Sequence, residues 1–331
     1  MSTPRSIFRT ARRALTACAC LLVLASPIAH AQAWPTKPIR IVAAGTAGGT
    51  ADIIARLLAD ALSKEFGQPV IVEPKPGAAG AIAVSDLMQA PRDGYTVMVA
   101  VNSLVSEIPH IVKLKIDMAK EIRPIAELSR GGLVLVGTPT LPAKNFAELL
   151  TYVKANPGKV SYASYSPGTM SHVLGLQLNK AASLDMVHVG YKGSTPGLAD
   201  VMGGHVPLMF DGMPTSLPMI KSAKVKAFAI STPARSPALP DVPTFTELGY
   251  PQLEAVAWMG LWCTPDVPPA AQARLREATL KVLGQAQIRD RLKDIGFEAG
   301  SSRSPEEMMK ASRADFERVG AVLKEIGFKP E

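Results

Sequence analysis

Ile39-Arg40-Ile41-Val42-Ala43-Ala44-Gly45-Thr46-Ala47-Gly48-Gly49-Thr50-Ala51-Asp52-Ile53-Ile54-Ala55-Arg56-Leu57-Leu58 is the stretch that decides the fold. Its apolar start, 39–43, has strand length. After a loop of small residues, Ile53, Ile54, Leu57, Leu58, Ala61 and Leu62 recur at helical spacing. Strand, glycine-rich turn and helix predict the first unit of a parallel sheet. Gly67 stops that helix, Val70-Ile71-Val72 reads as a second strand, 81–89 as a second helix after Pro76-Gly77, and 95–99 as a third strand.

The rhythm restarts after Leu133-Val134-Leu135-Val136. Asn145 with Glu148 three residues on predicts a capped helix start, and Asn156-Pro157-Gly158 its end. Strands are expected at 160–163, 186–189, 206–210 and 225–230, with helices opening near Thr169, Pro196 and Pro214. An apolar run at 256–263 precedes segments 270–283, 288–295 and 305–326, mostly helical and charged on one face. Two crossings, at 133–136 and 256–263, imply a discontinuous α/β lobe of 34–136 plus 259–331 and an inserted α/β lobe of 137–258. Two lobes on two hinge crossings make a cleft that closes.

The chain has 331 residues and a formal charge of +8, which would suggest nucleic acid if the charge were in the folded part. It is not. Arg5, Arg9, Arg12 and Arg13 precede a short apolar run from Ala14 to Ala25, and Ala29-His30-Ala31 offers small residues for cleavage. Residues 1–31 therefore read as a secretory signal peptide, cut near Ala31 or Ala33, and predict a periplasmic protein. The remaining 300 residues carry only +4, so no nucleic-acid partner is expected. Cys263 is the one cysteine after the leader and sits in an apolar run, where a buried, inert thiol is expected. A lipoprotein box at Leu15-Thr16-Ala17-Cys18 lacks an apolar run before it, and Arg12-Arg13 lacks the rest of a twin-arginine signal.

Catalytic signatures are missing. The chain holds no G-x-S-x-G, no H-E-x-x-H and no G-x-x-x-x-G-K-[ST], and the histidines show no metal-ligand spacing. The loop at 45–49 is not the glycine pattern of a dinucleotide site. Neither a cofactor nor a metal is expected. Small residues at 45–50 instead let main-chain N–H groups approach a ligand at a helix start, which favours an anion. Ser164-Tyr165-Ser166-Pro167-Gly168-Thr169 and Tyr191-Lys192-Gly193-Ser194 repeat that arrangement in the second half. Asp211 ends a strand and is expected to face the cleft, while His172 is expected behind the contact residues. Each feature also has a bland reading as a tight turn or a helix cap.

These residues resemble a known family. Trp34-Pro35-Thr36-Lys37-Pro38-Ile39, Gly48-Gly49-Thr50-Ala51-Asp52, Pro76-Gly77-Ala78-Ala79-Gly80 and Asp93-Gly94-Tyr95-Thr96 are similar to the Bug family of periplasmic receptors, the binding components of tripartite tricarboxylate transporters. Asn156-Pro157-Gly158-Lys159, Val187-His188-Val189, Tyr191-Lys192-Gly193-Ser194, Met209-Phe210-Asp211 and the run 235–244 agree. The resemblance implies a type II periplasmic-binding (Venus flytrap) fold, capture of a small di- or tricarboxylate or aromatic acid, no catalysis, a two-subunit membrane permease as partner and a monomer. It implies ligand contacts at Thr46, Ala47, Gly48, Gly49, Asn102 and Ser103 in the first lobe. In the second lobe it implies Ser164, Gly168, Thr169, Gly193, Ser194 and Asp211, and Tyr165 is expected to supply an aromatic face.

Two departures bear on the ligand. Gly45-Thr46-Ala47 stands where the family has an aromatic residue and proline, and Gly190 stands where proline precedes Tyr-Lys-Gly. They point to a larger or more polar acid than a plain four-carbon one. Two alternatives are a sensor that presents its ligand to a signalling protein and a hydrolase using Ser164 or Ser166 with His172 as base.

Overall fold

A computed structural model describes residues 34–113, 115–325 and 327–328. The expected signal peptide and its cleavage sites at Ala31 and Ala33 lie outside these residues. Strand β1 (Ile39–Ala43) is buried and apolar at every position but Arg40, and it stands inside its sheet. It pairs in parallel with β2 (Val70–Pro74) and β3 (Thr96–Val101). Helix α1 (Thr50–Phe66) joins β1 to β2 and ends at Gly67, whose φ of 64° is the left-handed cap that glycine adopts without cost. Helix α2 (Ala81–Gln89) leads back to β3. Short helices α3 (Ser103–Ser106), α4 (Ile108–Ile111) and α5 (Met118–Glu121) then bring the chain to β4 (Arg123–Gly131).

The second sheet begins immediately with β5 (Leu133–Gly137). Around it stand α6 (Phe146–Ala155), β6 (Ser161–Ser164), α7 (Met170–Ala182), β7 (Val187–Gly190), α8 (Ser194–Gly203), β8 (Leu208–Gly212), α9 (Met213–Lys221) and β9 (Lys226–Ile230). Its five strands run in the order β7-β6-β8-β5-β9, with β5 antiparallel to its neighbours. The chain returns through β10 (Ala257–Cys263), inserted antiparallel between β3 and β4. Helices α10 (Pro269–Leu283) and α11 (Ala286–Asp294), strand β11 (Glu298–Ala299) and helix α12 (Pro305–Glu325) complete the first lobe, a six-stranded sheet in the order β11-β4-β10-β3-β1-β2. In each sheet an antiparallel strand that arrives from the other lobe, β10 or β5, interrupts the parallel strands, and the first sheet carries a second antiparallel strand, β11, at its edge.

This places the lobe boundaries a few residues from where the apolar runs put them. Leu133–Gly137 pairs entirely within the second sheet, so the chain changes lobe at Gly131-Gly132 and not after Val136. Ala257 and Trp258, expected in the second lobe, already pair with Gly131 and Arg130 in the first. Strand β4 has no counterpart in the sequence reading because its pattern is broken by charge. Glu127 lies in mid-strand with 0% exposure, held by Arg130 at 2.6 Å and Arg303 at 2.8 Å. Burial pushes its carboxyl up, but Arg130, Ser301 and Arg303 outweigh that and hold it below the usual range. Cys263 is fully buried, and burial pushes its thiol up to about 12. No helix among the described residues is long and apolar enough to cross a membrane.

Candidate functional site

Helices in parallel α/β units begin at the carboxyl ends of strands, so both sheets aim helix starts at the gap between the lobes. Helix α1 begins at Gly49-Thr50, α7 at Thr169-Met170, α8 at Gly193-Ser194 and α9 at Gly212-Met213, and none of these starts has a side-chain cap. Gly49, Thr50, Thr169, Met170, Gly193, Ser194 and Gly212 all line one partly open cleft with a cavity volume of about 140 Å³. First-turn N–H groups with no partner inside their own helix therefore reach the cleft at α1, α7 and α8, whereas at α9 only Gly212 lines it, with its N–H taken by Tyr165 and Pro214 offering none. The rest of the wall is mostly apolar, with Leu104, Ile108, Leu133, Trp258, Met259 and Phe297 among its members. Lys192 is the only ionisable side chain of Lys, Arg, Asp or Glu type in the lining, and it is exposed.

Of the residues expected to touch ligand, Thr46, Gly49, Ser103, Tyr165, Thr169, Gly193 and Ser194 line the cleft. Ala47, Gly48, Asn102, Ser164, Gly168 and Asp211 do not. Ala47 instead joins the lobes, its carbonyl accepting from Thr195 Oγ1 at 3.1 Å, beside a 3.1 Å bond from Thr46 Oγ1 to Thr195 Oγ1. The N–H of Gly48 donates to Asp52 at 2.9 Å. Asn102 is buried and accepts from the Trp258 N–H at 3.0 Å, fixing β10 to the end of β3. Gly168 is held by packing, since a Cβ there would lie 2.9 Å from Ile108 Cα across the interlobe gap.

Asp211 sits behind the wall. It has 0% exposure and accepts from Ser194 Oγ at 2.7 Å and Thr215 Oγ1 at 2.7 Å, with Ser216 and Tyr165 as further hydroxyl donors. Burial pushes its carboxyl up from the usual range, against the pull of those donors. The tyrosine hydroxyl also accepts from the Gly212 N–H, and burial raises it well above its ordinary value. Asp211 thereby ties the starts of α8 and α9 to Tyr165 on the neighbouring loop.

Neither serine of the hydrolase alternative bonds to His172, and Ser166 Oγ donates instead to the Pro167 carbonyl at 3.3 Å. Ser164 has 0% exposure, and its hydroxyl meets His188 Nε2 at 2.6 Å rather than His172. His172 accepts the Gly168 N–H on Nδ1 at 3.2 Å, and the two imidazoles stack with centroids 3.7 Å apart. Burial lowers His172 to about 3, with His188 adding to it, and lowers His188 to about 4. The stacked pair is therefore neutral and braces both ends of the 164–169 loop from behind, the indirect place expected for His172.

The sequence reading missed the turn Gly77-Ala78-Ala79-Gly80, which lines the cleft with four successive positive φ values of 110°, 47°, 49° and 86°. Left-handed alanines are costly and collect at functional sites. The signal was present in the Pro-Gly-Ala-Ala-Gly run, whose small side chains leave the main chain open to the cleft. Trp258, Met259 and Phe297 were missed because strand and loop neighbours do not reveal which apolar residue lines a cavity and which fills a core. No cluster of metal-ligating side chains occurs among the described residues.

Two α/β lobes with uncapped helix starts around a shared cleft define a solute-binding protein. A family model described as tripartite tricarboxylate transporter family receptor matches residues 54–328, and the chain belongs to this family of periplasmic binding proteins. A UPF0065 protein of Bordetella pertussis is 31% identical over 94% of this chain and 96% of its own length. Protein BugT of the same organism is 32% identical over 74% and 76%. Among solved structures, one titled as a periplasmic transporter is 37% identical, covers 90% of this chain and 99% of its own, and superposes with a TM-score of 0.85. Rhodopseudomonas palustris Rpa4515 with adipate is 29% identical over 90% and 100%, TM-score 0.86. MatC from the same organism with bound malate is 28% identical over 88% and 100%, TM-score 0.82. The chain is accordingly a two-lobed solute-binding receptor and not an enzyme.

Proposed function

We propose that the cleft captures a small carboxylate, holds it chiefly by main-chain N–H groups, and delivers it to a membrane permease. The observation that carries this reading is the convergence of three uncapped helix starts, those of α1, α7 and α8, on a cleft with no acidic side chain among its described lining residues. Helix starts favour anions through both their free N–H groups and the helix dipole. Hydrogen bonds to a charged group contribute roughly 1.5 to 3 kcal/mol each. Four or five of them suffice for the about 8 kcal/mol of a micromolar complex before ordering costs. No arginine clamp is needed.

Relatives support the ligand class, since one was solved with adipate and another with malate. Membership of a transporter receptor family supports delivery to a permease. Export by cleavage near Ala31 or Ala33, and a monomeric state, belong to the same proposal. A thermal-shift screen of dicarboxylates, tricarboxylates, aromatic acids and acidic amino acids tests it. At 100 times Kd a ligand adds about 2.7 kcal/mol, which a melting curve resolves. Stabilisation by neutral sugars or amides, with none by any acid, would overturn the reading.

A further inference from the structure

Two buried carboxyls flank the cleft, and their surroundings differ. Asp211 accepts from the hydroxyls of Ser194, Thr215, Ser216 and Tyr165, enough donors to solvate a negative charge. Glu107 belongs to the segment 103–108, whose Ser103, Leu104 and Ile108 line the cleft, and is itself 5% exposed. Its carboxyl meets Ser106 Oγ through Oε2. That hydroxyl also lies 2.9 Å from the Asn102 carbonyl oxygen and accepts from Asn102 Nδ2 at 3.3 Å. A hydroxyl has one proton to give. Ser106 therefore serves one of two acceptor oxygens, and satisfying both contacts needs a proton on Glu107. Among the described residues no basic side chain forms an ion pair with this carboxyl. On α12, Arg318 pairs with Asp315 at 3.0 Å, and the two charges oppose each other at Glu107. On α5, Lys120 pairs with Asp117 at 2.9 Å beside Glu121, and on α4 His110 Nε2 meets the Phe316 carbonyl at 2.7 Å. Burial pushes the Glu107 carboxyl up from the usual range.

A neutral acid suits a cleft that takes anions, whereas an ionised one repels them, and salt screens buried charges little. We propose that Glu107 is a proton-binding site linked to the cleft: it holds its proton when an acid is bound, and losing that proton weakens capture. The sign follows from linkage. A bound anion favours the protonated carboxyl, so binding takes up protons wherever Glu107 is partly ionised, and affinity falls as pH rises through that range. Glu107 does not touch the bound acid and acts on it through the electrostatic field behind Ser103. This rests on the carboxylate reading above and adds a co-bound proton to it.

Two measurements on the mature protein test it. Infrared spectra of the ligand-free protein at pH 6 should show a protonated-carboxyl C=O band that Glu107→Gln removes, and a spectrum without that band would overturn the assignment of the proton. Calorimetric titration with adipate, malate and benzoate from pH 7 to 9, in two buffers of different ionisation heat, then counts protons. These acids are already ionised there, so any uptake belongs to the protein. Affinity for at least one of them should fall about tenfold or more across the range, with net proton uptake. Glu107→Gln, a permanently neutral isostere, should flatten the profile and lose the uptake. Acids bound by the wild type without uptake, a result that needs no variant, or a profile that Glu107→Gln leaves unchanged, would overturn the linkage and leave the carboxylate reading standing. Silence from all three acids at millimolar concentration would instead overturn the carboxylate reading and the linkage with it, while the infrared band still reports the proton.

Discussion

Gly193 has no room for a side chain. A Cβ there would lie 2.8 Å from Thr46 Oγ1, and its φ of 140° is a conformation that glycine alone adopts readily. Gly193→Ala should therefore lose about 1 to 3 kcal/mol by urea denaturation and weaken carboxylate binding at least tenfold, because the lobes can no longer meet at Thr46. An alanine variant with unchanged affinity would show that this contact is not part of the bound state. Glu127 offers a second test, away from the cleft. Removing the buried carboxylate leaves Arg130 and Arg303, each about a third exposed, without their shared partner, so Glu127→Ala should cost about 1 to 3 kcal/mol of stability in the same assay. Legibility at this scale was uneven. Gly193 and Ser194 announced themselves as a turn before a helix. Asp211 was misplaced because its inward turn depends on Thr215 and Ser216, one helical turn away, and on Tyr165 from another loop.

At the scale of elements, the 164–169 loop hangs on two neutral imidazoles. The sign of the pH dependence follows from their lowered values. The unfolded chain protonates each ring near 6.5, while the folded one resists until about 3 for His172 and about 4 for His188. Between those limits the unfolded state binds more protons, so stability is fully present above about pH 6.5 and is lost as pH falls. The loss should reach about 2 kcal/mol per ring by pH 5. Chemical denaturation from pH 7.5 to 5 should show this slope, and the double variant His172→Gln/His188→Gln should flatten it; an equal slope in the variant would place the acid sensitivity elsewhere. Strands and helices that alternate with clear apolar runs, such as β1, α1, α2 and β6, were legible within a residue or two. Strand β4 was not, since burying Glu127 among arginines from its own strand and from Arg303 is a tertiary solution that local pattern cannot announce.

Across the whole molecule, the exchanged antiparallel strands β5 and β10 are the two covalent links between lobes, and the polar contacts at Thr195 lie at the cleft. A bound anion bridging helix starts of both lobes should favour the closed arrangement, so small-angle scattering should report compaction on saturation with a binding acid. An unchanged radius of gyration would contradict hinge closure. The two-lobed plan was readable because it needs only the count and order of α/β units. The cleft wall was not, because it is assembled from residues as distant in sequence as Ala78, Tyr165 and Phe297.

The central claim is that helix-start N–H groups read a negative charge. The most direct measurement is the dissociation constant of the tightest-binding acid against that of its uncharged primary amide, which keeps the shape and removes the charge. The amide should bind about a hundredfold or more weakly, matching the loss of about 2.7 kcal/mol or more in charge-assisted hydrogen bonding. An amide that binds as tightly as the acid would contradict the account.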